Sequence, residues 1–334
     1  MSIRRFLTTG VLAALASSWL AGAPVQAQSY SFQNIINPAD PTFNQELGIN
    51  NSGLIAGYFG SGAIGHPNQG YTYSAGVFTP LNFPGSVQTQ VTGLNNTGTL
   101  VGFWAPTNLG TGDANYGWYE QGGAFHTVIN PNTPNPASGV NQLLGVNNSN
   151  VAVGFFVDAT GAAHGYTYNI GAGSFSSPIN DPSAGIGGST TTAAINNAGN
   201  IVGFWNLAGQ PTISNGFLDV GGTFTTLDAP GAVSTQLLGI SNNGWIVGTD
   251  IDAAGNQHGV LYNEHTGSWT VLDAFGLTSN FTTFNGVNDL GQVVGFYTTD
   301  FGNGNTIGLL VSAPAPEAGK GVLGLALLVL AIAT

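Results

Sequence analysis

The chain has no cysteine. Disulfide frameworks, cysteine–metal sites and thiol catalysis are therefore excluded, although a protein with a large core needs no disulfide to be exported. Basic residues are almost as scarce. Of 334 residues only Arg4, Arg5 and Lys320 are Lys or Arg, against 15 Asp and Glu, which leaves a net charge of −12. These three lie near the ends, so everything between Phe6 and Gly319 is free of Lys and Arg. Nucleic-acid binding replaces counterions with protein cations, and this body offers none. Phosphate cradles built on Arg or Lys and internal arginine–carboxylate pairs are excluded in the same way. No Gly-x-Ser-x-Gly elbow is present, and the five histidines at 66, 126, 164, 258 and 265 form no His-Glu-x-x-His motif. With only 5% charged residues, the fold must rest on apolar burial and backbone hydrogen bonds.

Glycine is abundant, at 52 residues, and it recurs on a pattern. The stretch from Gly48 to Phe59, GINNSGLIAGYF, returns at Gly93 (GLNNTGTLVGFW), Gly145 (GVNNSNVAVGFF), Ala194 (AINNAGNIVGFW), Gly239 (GISNNGWIVGTD) and Gly286 (GVNDLGQVVGFY). The six copies start 45, 52, 49, 45 and 47 residues apart. A period in this range signals a repeat architecture and overrides local motif readings. Each copy reads as a strand, a tight Asn-x-Gly turn and a second strand. The turn residues tolerate positive φ, and Asn150 takes the glycine position in the third copy as the next residue best suited to it.

A second hairpin follows after a variable loop, as at 70–82, 117–130, 165–180, 216–231 and 259–276. Four antiparallel strands, A to D, in roughly 47 residues make a propeller blade. The first hairpin occurs six times and the complete second hairpin five times; the last repeat keeps strand C alone, TIGLLVS at 306–312. The missing D strand lies at the other end of the chain, where FQNIINP at 32–38 aligns with FHTVINP at 125–131. The sequence thus predicts an all-β, six-bladed β-propeller of four-stranded antiparallel blades, preferred over an open solenoid. Its N-terminal strand completes the last blade and removes an open edge.

The ends read as addresses. Residues 1–27 have a basic start (Arg4, Arg5), an apolar run from Phe6 to Gly22 and small residues before Gln28, the layout of a signal peptide. Arg4-Arg5-Phe6-Leu7 partly resembles a twin-arginine signal. The propeller is expected over 28–313, with a Pro/Glu linker and a 13-residue apolar run in 314–334. That run is short of the roughly 20 residues a spanning helix needs. The tail resembles the PEP-CTERM sorting signal of Gram-negative bacteria that make exopolysaccharide. Ala318 stands where that signal has its second proline, and no basic residue follows Lys320. A plain hydrophobic C-terminal anchor is the alternative. The body, over roughly 30–312, resembles HAF-type extracellular repeats through His164-Gly165-Tyr166, His258-Gly259-Val260, Asn215-Gly216-Phe217, Asp228-Ala229-Pro230-Gly231 and the Asn-Asn hairpin. These resemblances imply a cell-surface or extracellular protein handled by export and sorting machinery, with transient membrane anchoring by the tail. They are nearly silent on activity.

Three features are candidates for chemistry. Gln45, Gln90, Gln142, Thr191, Gln236 and Thr283 stand three residues before each strand-A Gly or Ala. Strand A is innermost in a blade, so they should ring the channel mouth, either as ligands for carbohydrate hydroxyls or as structural hydrogen-bond partners. Nine acids fall in the loops of one face: Asp113, Asp158, Asp250, Asp252 and Asp300 between strands B and C, and Asp40, Asp181, Asp228 and Asp273 between D and the next A. Asp250 and Asp252 are the best local candidates for a Ca²⁺ cofactor, against a reading as a turn with exposed Asp. The third is the set of residues ending strand B: Phe59, Trp104, Phe156, Trp205, Asp250 and Tyr297. These are expected to pack between blades rather than stack on sugars.

The expectation is an exported, non-catalytic surface or matrix propeller that binds polysaccharide or another matrix component at its acidic, loop-rich face. The alternatives are a glycan-degrading hydrolase or lyase using loop carboxylates and a Ca²⁺-stabilised structural surface protein.

Overall fold

A computed structural model describes residues 30–110, 112–135 and 139–312. The signal-peptide and tail assignments lie outside the described residues. The first blade holds β2 (Asn44–Ile49), β3 (Ile55–Phe59), β4 (Gln69–Ser74) and β5 (Val77–Pro80). The second holds β6 (Gln88–Leu94), β7 (Leu100–Ala105), β8 (Tyr116–Gln121) and β9 (Ala124–Val128). The third holds β10 (Asn141–Val146), β11 (Val151–Val157), β12 (Ala163–Asn169) and the short β13 (Ser174–Phe175). The fourth comprises β14 (Ser189–Ile195), β15 (Ile201–Asn206), β16 (Asn215–Val220) and β17 (Thr223–Thr226). The fifth comprises β18 (Ser234–Ile240), β19 (Trp245–Ile251), β20 (Gln257–Asn263) and β21 (Ser268–Leu272).

The last blade joins the two ends of the chain. Its strands β22 (Phe281–Val287), β23 (Gln292–Thr298) and β24 (Thr306–Ser312) are completed by β1 (Ser31–Ile35). β1 runs antiparallel to β24, from Ser31 opposite Ser312 to Ile35 opposite Gly308. The six-bladed propeller and its N-terminal closing strand are as the repeat predicted. Both Ser31 and Ser312 lie beside Gln292, at the end of the blade where the A–B hairpins turn.

The Asn-x-Gly turns form as expected, with φ of 78° at Gly53, 92° at Gly98 and 58° at Asn150. Each inner strand also carries a β-bulge just before its Gly or Ala, as between Glu46 and Gly48 or Phe284 and Gly286. The six inner strands converge on the central axis at this level. A Cβ on Gly48 would lie 3.1 Å from the Cα of Gly93, and one on Gly286 would lie 3.0 Å from the Cα of Gly48. The leading glycine of the repeat is therefore a close-approach residue, which lets backbones of adjacent blades touch.

The core lies between blades. Trp118, Tyr71, Tyr166, Phe217 and Phe284 are fully buried on the third or first strand of their blades. Trp118 packs against Gly102 of its own sheet, where a Cβ would collide with the indole, and joins Ala56 of the preceding blade, Val91 and Leu100 in one cluster. Burying side chains of this size contributes roughly 1.5–3 kcal/mol each; at the matching third-strand position the fifth blade buries Val260 and the last blade Leu309. The strand-B aromatics behave as expected. Trp104 stacks on Phe83 from the preceding connection at 4.6 Å with rings 2° from parallel, and Phe156, Trp205 and Tyr297 are buried.

Candidate functional site

Alternation along each inner strand sends one set of side chains between blades and the next set to the axis. Gln45, Gln142, Thr191, Gln236 and Thr283 all line one cavity of about 540 Å³, and Gln90 lines an adjoining one of about 210 Å³. The structure thus brings the six polar positions together around the mouth of the channel, on the face of the B–C loops. Below them the glycine level narrows the channel to spaces of about 80 and 70 Å³. The result is a funnel that closes toward the hairpin face.

Five of the six polar residues are tied to a neighbour. Gln90, Gln142 and Gln236 donate through Nε2 to Asn68 Oδ1 (2.9 Å), Asn115 Oδ1 (2.6 Å) and Ser214 Oγ (3.1 Å) of the preceding blade. Gln257 Nε2 donates to Thr283 Oγ1 at 2.5 Å, again across a blade boundary. Tyr58 donates its hydroxyl to Gln45 Oε1 at 2.6 Å. At Thr191 the matching residue of the preceding blade is Ala162 or Ala163, which has no side-chain acceptor. Gln90, Gln142 and Gln236 therefore serve both readings, latching adjacent blades through Nε2 while lining the funnel, whereas Gln45 is tied within its own blade.

A second ring was not anticipated. Gln45, Gln90, Gln142, Thr191 and Thr283 stand directly across the A–B hairpin from Tyr58, Phe103, Phe155, Phe204 and Phe296. Phe103, Phe155, Phe204 and Phe296 share the cavity walls with the polar ring. Only the fifth blade differs, with Thr249 opposite Gln236. The bulge explains why these residues escaped notice. Counting out from the turn sets Gln45 opposite Phe59, whereas the extra residue at the bulge moves it to Tyr58.

The loop acids form no free anionic array. Asp40 accepts from Thr42 N (2.9 Å) and Oγ1 (2.7 Å) and meets His66 Nε2 at 2.6 Å. Asp158 accepts from Thr160 N (2.8 Å) and Ala162 N (3.0 Å) and meets His164 Nε2 at 3.0 Å. Asp113 accepts from Thr107 Oγ1, Leu109 N and Gln88 Nε2. Asp181 accepts from Ser183 N, and Asp228 from Gly216 N. Only Asp228 and Asp300 are exposed among the nine. These acids shape turns and connections, and His66, His164 and His258 sit against Asp40, Asp158, Asp252 and Asp273 where the missing Lys and Arg do not.

His164 and His258 each tie a B–C loop to the following D–A connection. His164 Nδ1 meets Asn180 Oδ1 at 2.6 Å, and His258 Nδ1 meets Asp273 Oδ1 at 2.6 Å with Asp252 3.5 Å from its Nε2. Burial disfavours the His258 cation, but Asp273, Asp252 and Asp250 outweigh it and raise the pKa above the ordinary histidine value.

The expected metal pair is not assembled as a metal shell. Asp252 spends Oδ1 on Ala254 N and Asn256 N, both at 2.8 Å, and Oδ2 on Asn256 Nδ2 at 3.0 Å. The Asn256 bonds, side chain first, hold its pKa down at about 2. Asp250 lies on β19 between Thr249 and Ile251, which line the funnel, so alternation turns its carboxylate to the other face of the sheet. There burial raises its pKa, and Oδ1 has no partner. Among the described residues no group of three or more His, Asp or Glu side chains is placed to hold a metal ion.

No protein-family model and no curated protein matches the chain. Solved structures do. The putative TolB from Agrobacterium tumefaciens superposes with a TM-score of 0.52 at 11% identity, over 87% of this chain and 100% of that one. A mutant of AofleA from Arthrobotrys oligospora gives 0.50 at 12% identity, over 88% and 91%. The Aleuria aurantia lectin in complex with Fucα1-6GlcNAc gives 0.46 at 11% identity, over 83% and 98%. At these identities the likeness to the first two shows the propeller fold and nothing finer.

Proposed function

We propose that the chain is an exported, non-catalytic propeller of the cell surface or extracellular matrix, which binds polysaccharide or another matrix component through the funnel on its loop-rich face. The carrying observation is the paired ring of amides and aromatic rings around a cavity of about 540 Å³. That size and mixture suit a ligand with apolar faces and many hydroxyls. No Asp, Glu, His, Lys or Arg is among the residues lining the cavity, which favours binding over the paired-carboxylate chemistry of glycan hydrolysis. Of the loop acids that a hydrolase or lyase would recruit, Asp40, Asp113, Asp158 and Asp252 each accept several hydrogen bonds, and Asp250 points away from the funnel. The export signal and sorting-like tail support the address. Both ends of the described chain, near Ser31 and Ser312, lie on the hairpin side, opposite the funnel.

The test is a glycan-binding array run with the whole chain beside an assay for reducing ends and unsaturated products. Binding without turnover is expected, and clear turnover of any bound glycan overturns the non-catalytic reading. A melting temperature that falls on adding a chelator would favour the Ca²⁺-stabilised alternative; the committed oxygens of Asp252 argue for no change.

A further inference from the structure

Resting on that reading, we infer that the funnel takes the end of an uncharged glycan, seated against the wall formed by the fourth, fifth and last blades. Four observations carry this.

First, the walls have no ionisable side chain, and the body around them has no Lys or Arg. A uronate or sulfated chain entering the funnel would lose its hydration without gaining a cation, inside a protein of net charge −12. A neutral chain loses only hydroxyl hydration, which amides replace.

Second, the mouth offers acceptors. Gln90, Gln142 and Gln236 each commit Nε2 to the neighbouring blade. That bond fixes the amide orientation and leaves Oε1 as the group free for a ligand. Sugar hydroxyls are donors as well as acceptors, so a ring of oriented carbonyl oxygens matches them.

Third, the floor offers a donor. Asn285 lies one ring deeper, where the other blades place Leu47, Thr92, Leu144, Ala193 and Leu238. As placed, its Nδ2 is sealed from solvent and has no hydrogen-bond partner, while the residue is half-buried in the cavity wall. Rotating the terminal amide by about 180° turns that donor to the open side, where a ring or hydroxyl oxygen at the tip of a glycan accepts from it. Thr249, standing where other blades have an aromatic ring, widens the same side of the cavity.

Fourth, the glycine level closes the funnel below Asn285 to spaces of about 80 Å³ or less. A polysaccharide cannot thread through it, so the chain enters end-on.

The experiment is calorimetric titration of the whole chain with neutral linear oligosaccharides, cyclic oligosaccharides of the same sugars, and linear uronate or sulfated oligosaccharides of equal length, each at low and high salt. Neutral linear sugars should bind with no salt dependence, while cyclic and anionic sugars should not bind. Asn285→Leu and Phe296→Ala should each weaken binding about tenfold or more while melting within a few degrees of the parent. If either variant fails to fold, Gln236→Leu serves in its place. Preferential binding of anionic sugars overturns this inference and leaves the polysaccharide reading standing. Equal binding of cyclic sugars, or affinity unmoved by these substitutions, overturns it as well. If no sugar of any class binds, the polysaccharide reading itself falls.

Discussion

Asn51 and Asp289 stand 238 residues apart and are joined by two hydrogen bonds: Asp289 N donates to Asn51 Oδ1 at 2.9 Å, and Asn51 Nδ2 donates to Asp289 Oδ2 at 2.8 Å. They close a belt around the hairpin face. Asn51 N donates to Asn96 Oδ1, Asn96 N to Asn148 Oδ1, Asn148 N to Asn197 Oδ1, Asn197 N to Asn242 Oδ1 and Asn242 N to Asp289 Oδ1, all within 2.7–2.9 Å. The neighbouring asparagines add a second belt by donating Nδ2 to the next blade's backbone carbonyl, as Asn95 does to Asn147 O at 2.8 Å and Asn288 to Asn50 O at 3.0 Å. The Asn-Asn pair of the repeat is therefore a device for holding the ring shut as well as for turning the chain.

If the belt matters most at the seam, Asn51→Ala should cost more than Asn148→Ala. Both remove one side-chain acceptor for a backbone N–H, at about 1 kcal/mol. Asn51→Ala also strips a donor from the Asp289 carboxylate and should cost about 2 kcal/mol. Urea unfolding of the two variants checks this, and equal losses would mean that the seam is no weaker than the other junctions.

Ile35→Ala tests the closing strand. Ile35 is 1% exposed and packs with Ile49, Ile55 and Val294, linking the last and first blades. Truncation should cost about 2–4 kcal/mol. It should also loosen β1 from β24 and free a strand edge, so the variant should associate as its concentration rises. Size-exclusion chromatography across a dilution series reads the second effect, and a variant that stays monomeric would show that β1 holds without this side chain.

Asn150→Gly separates two roles at one position. Five repeats have glycine here, and relief of the left-handed φ of 58° favours the change. Asn150 Oδ1, however, accepts from Asn95 Nδ2 at 2.9 Å and Thr99 Oγ1 at 2.8 Å in the adjacent blade. Loss of both bonds should outweigh the relief and leave the variant about 1 kcal/mol less stable by urea unfolding. A stabilised variant would mean that backbone strain dominates.

The architecture was legible because it is periodic. Six copies of one hairpin set the blade number, and the stray strand at 32–38 set the closure. The polar ring was legible because one inner strand recurs six times. The aromatic ring beside it was not, because a single bulged residue shifts every partner by one, and bulges have no reliable sequence mark. The loop acids misled for a different reason. Net charge counts carboxylates, but whether Asp158 or Asp252 is free depends on backbone N–H groups two and four residues along the loop, and those orient only in the folded turn. Glu46 was passed over because it is a lone acid at a position where other blades have Val91, Leu143, Thr192, Leu237 and Phe284.

Glu46 makes the seam pH-sensitive. It is completely buried, beside Gly308 of β24, and both its oxygens lie within hydrogen-bond distance of Tyr71 Oη, at 2.9 and 3.0 Å. One phenol proton serves one oxygen, so the pair is satisfied only when the carboxyl is protonated and returns the second bond. Burial accordingly raises the Glu46 pKa well above 4.5, against the smaller opposing effect of the Tyr71 bond. The folded protein then holds a proton that the unfolded chain releases. The stability this contributes is complete below pH 4.5 and is lost progressively as pH rises toward the folded pKa. Glu46→Gln keeps the shape, donates through Nε2 to Tyr71 Oη and does not titrate. The two proteins should be similarly stable below pH 4.5, and the variant should become the more stable one as pH rises. Every other titrating group is common to both, so the difference between their unfolding free energies isolates Glu46. Parallel curves across the whole range would show that Glu46 is ionised in the folded state and that its buried charge is met by some other group.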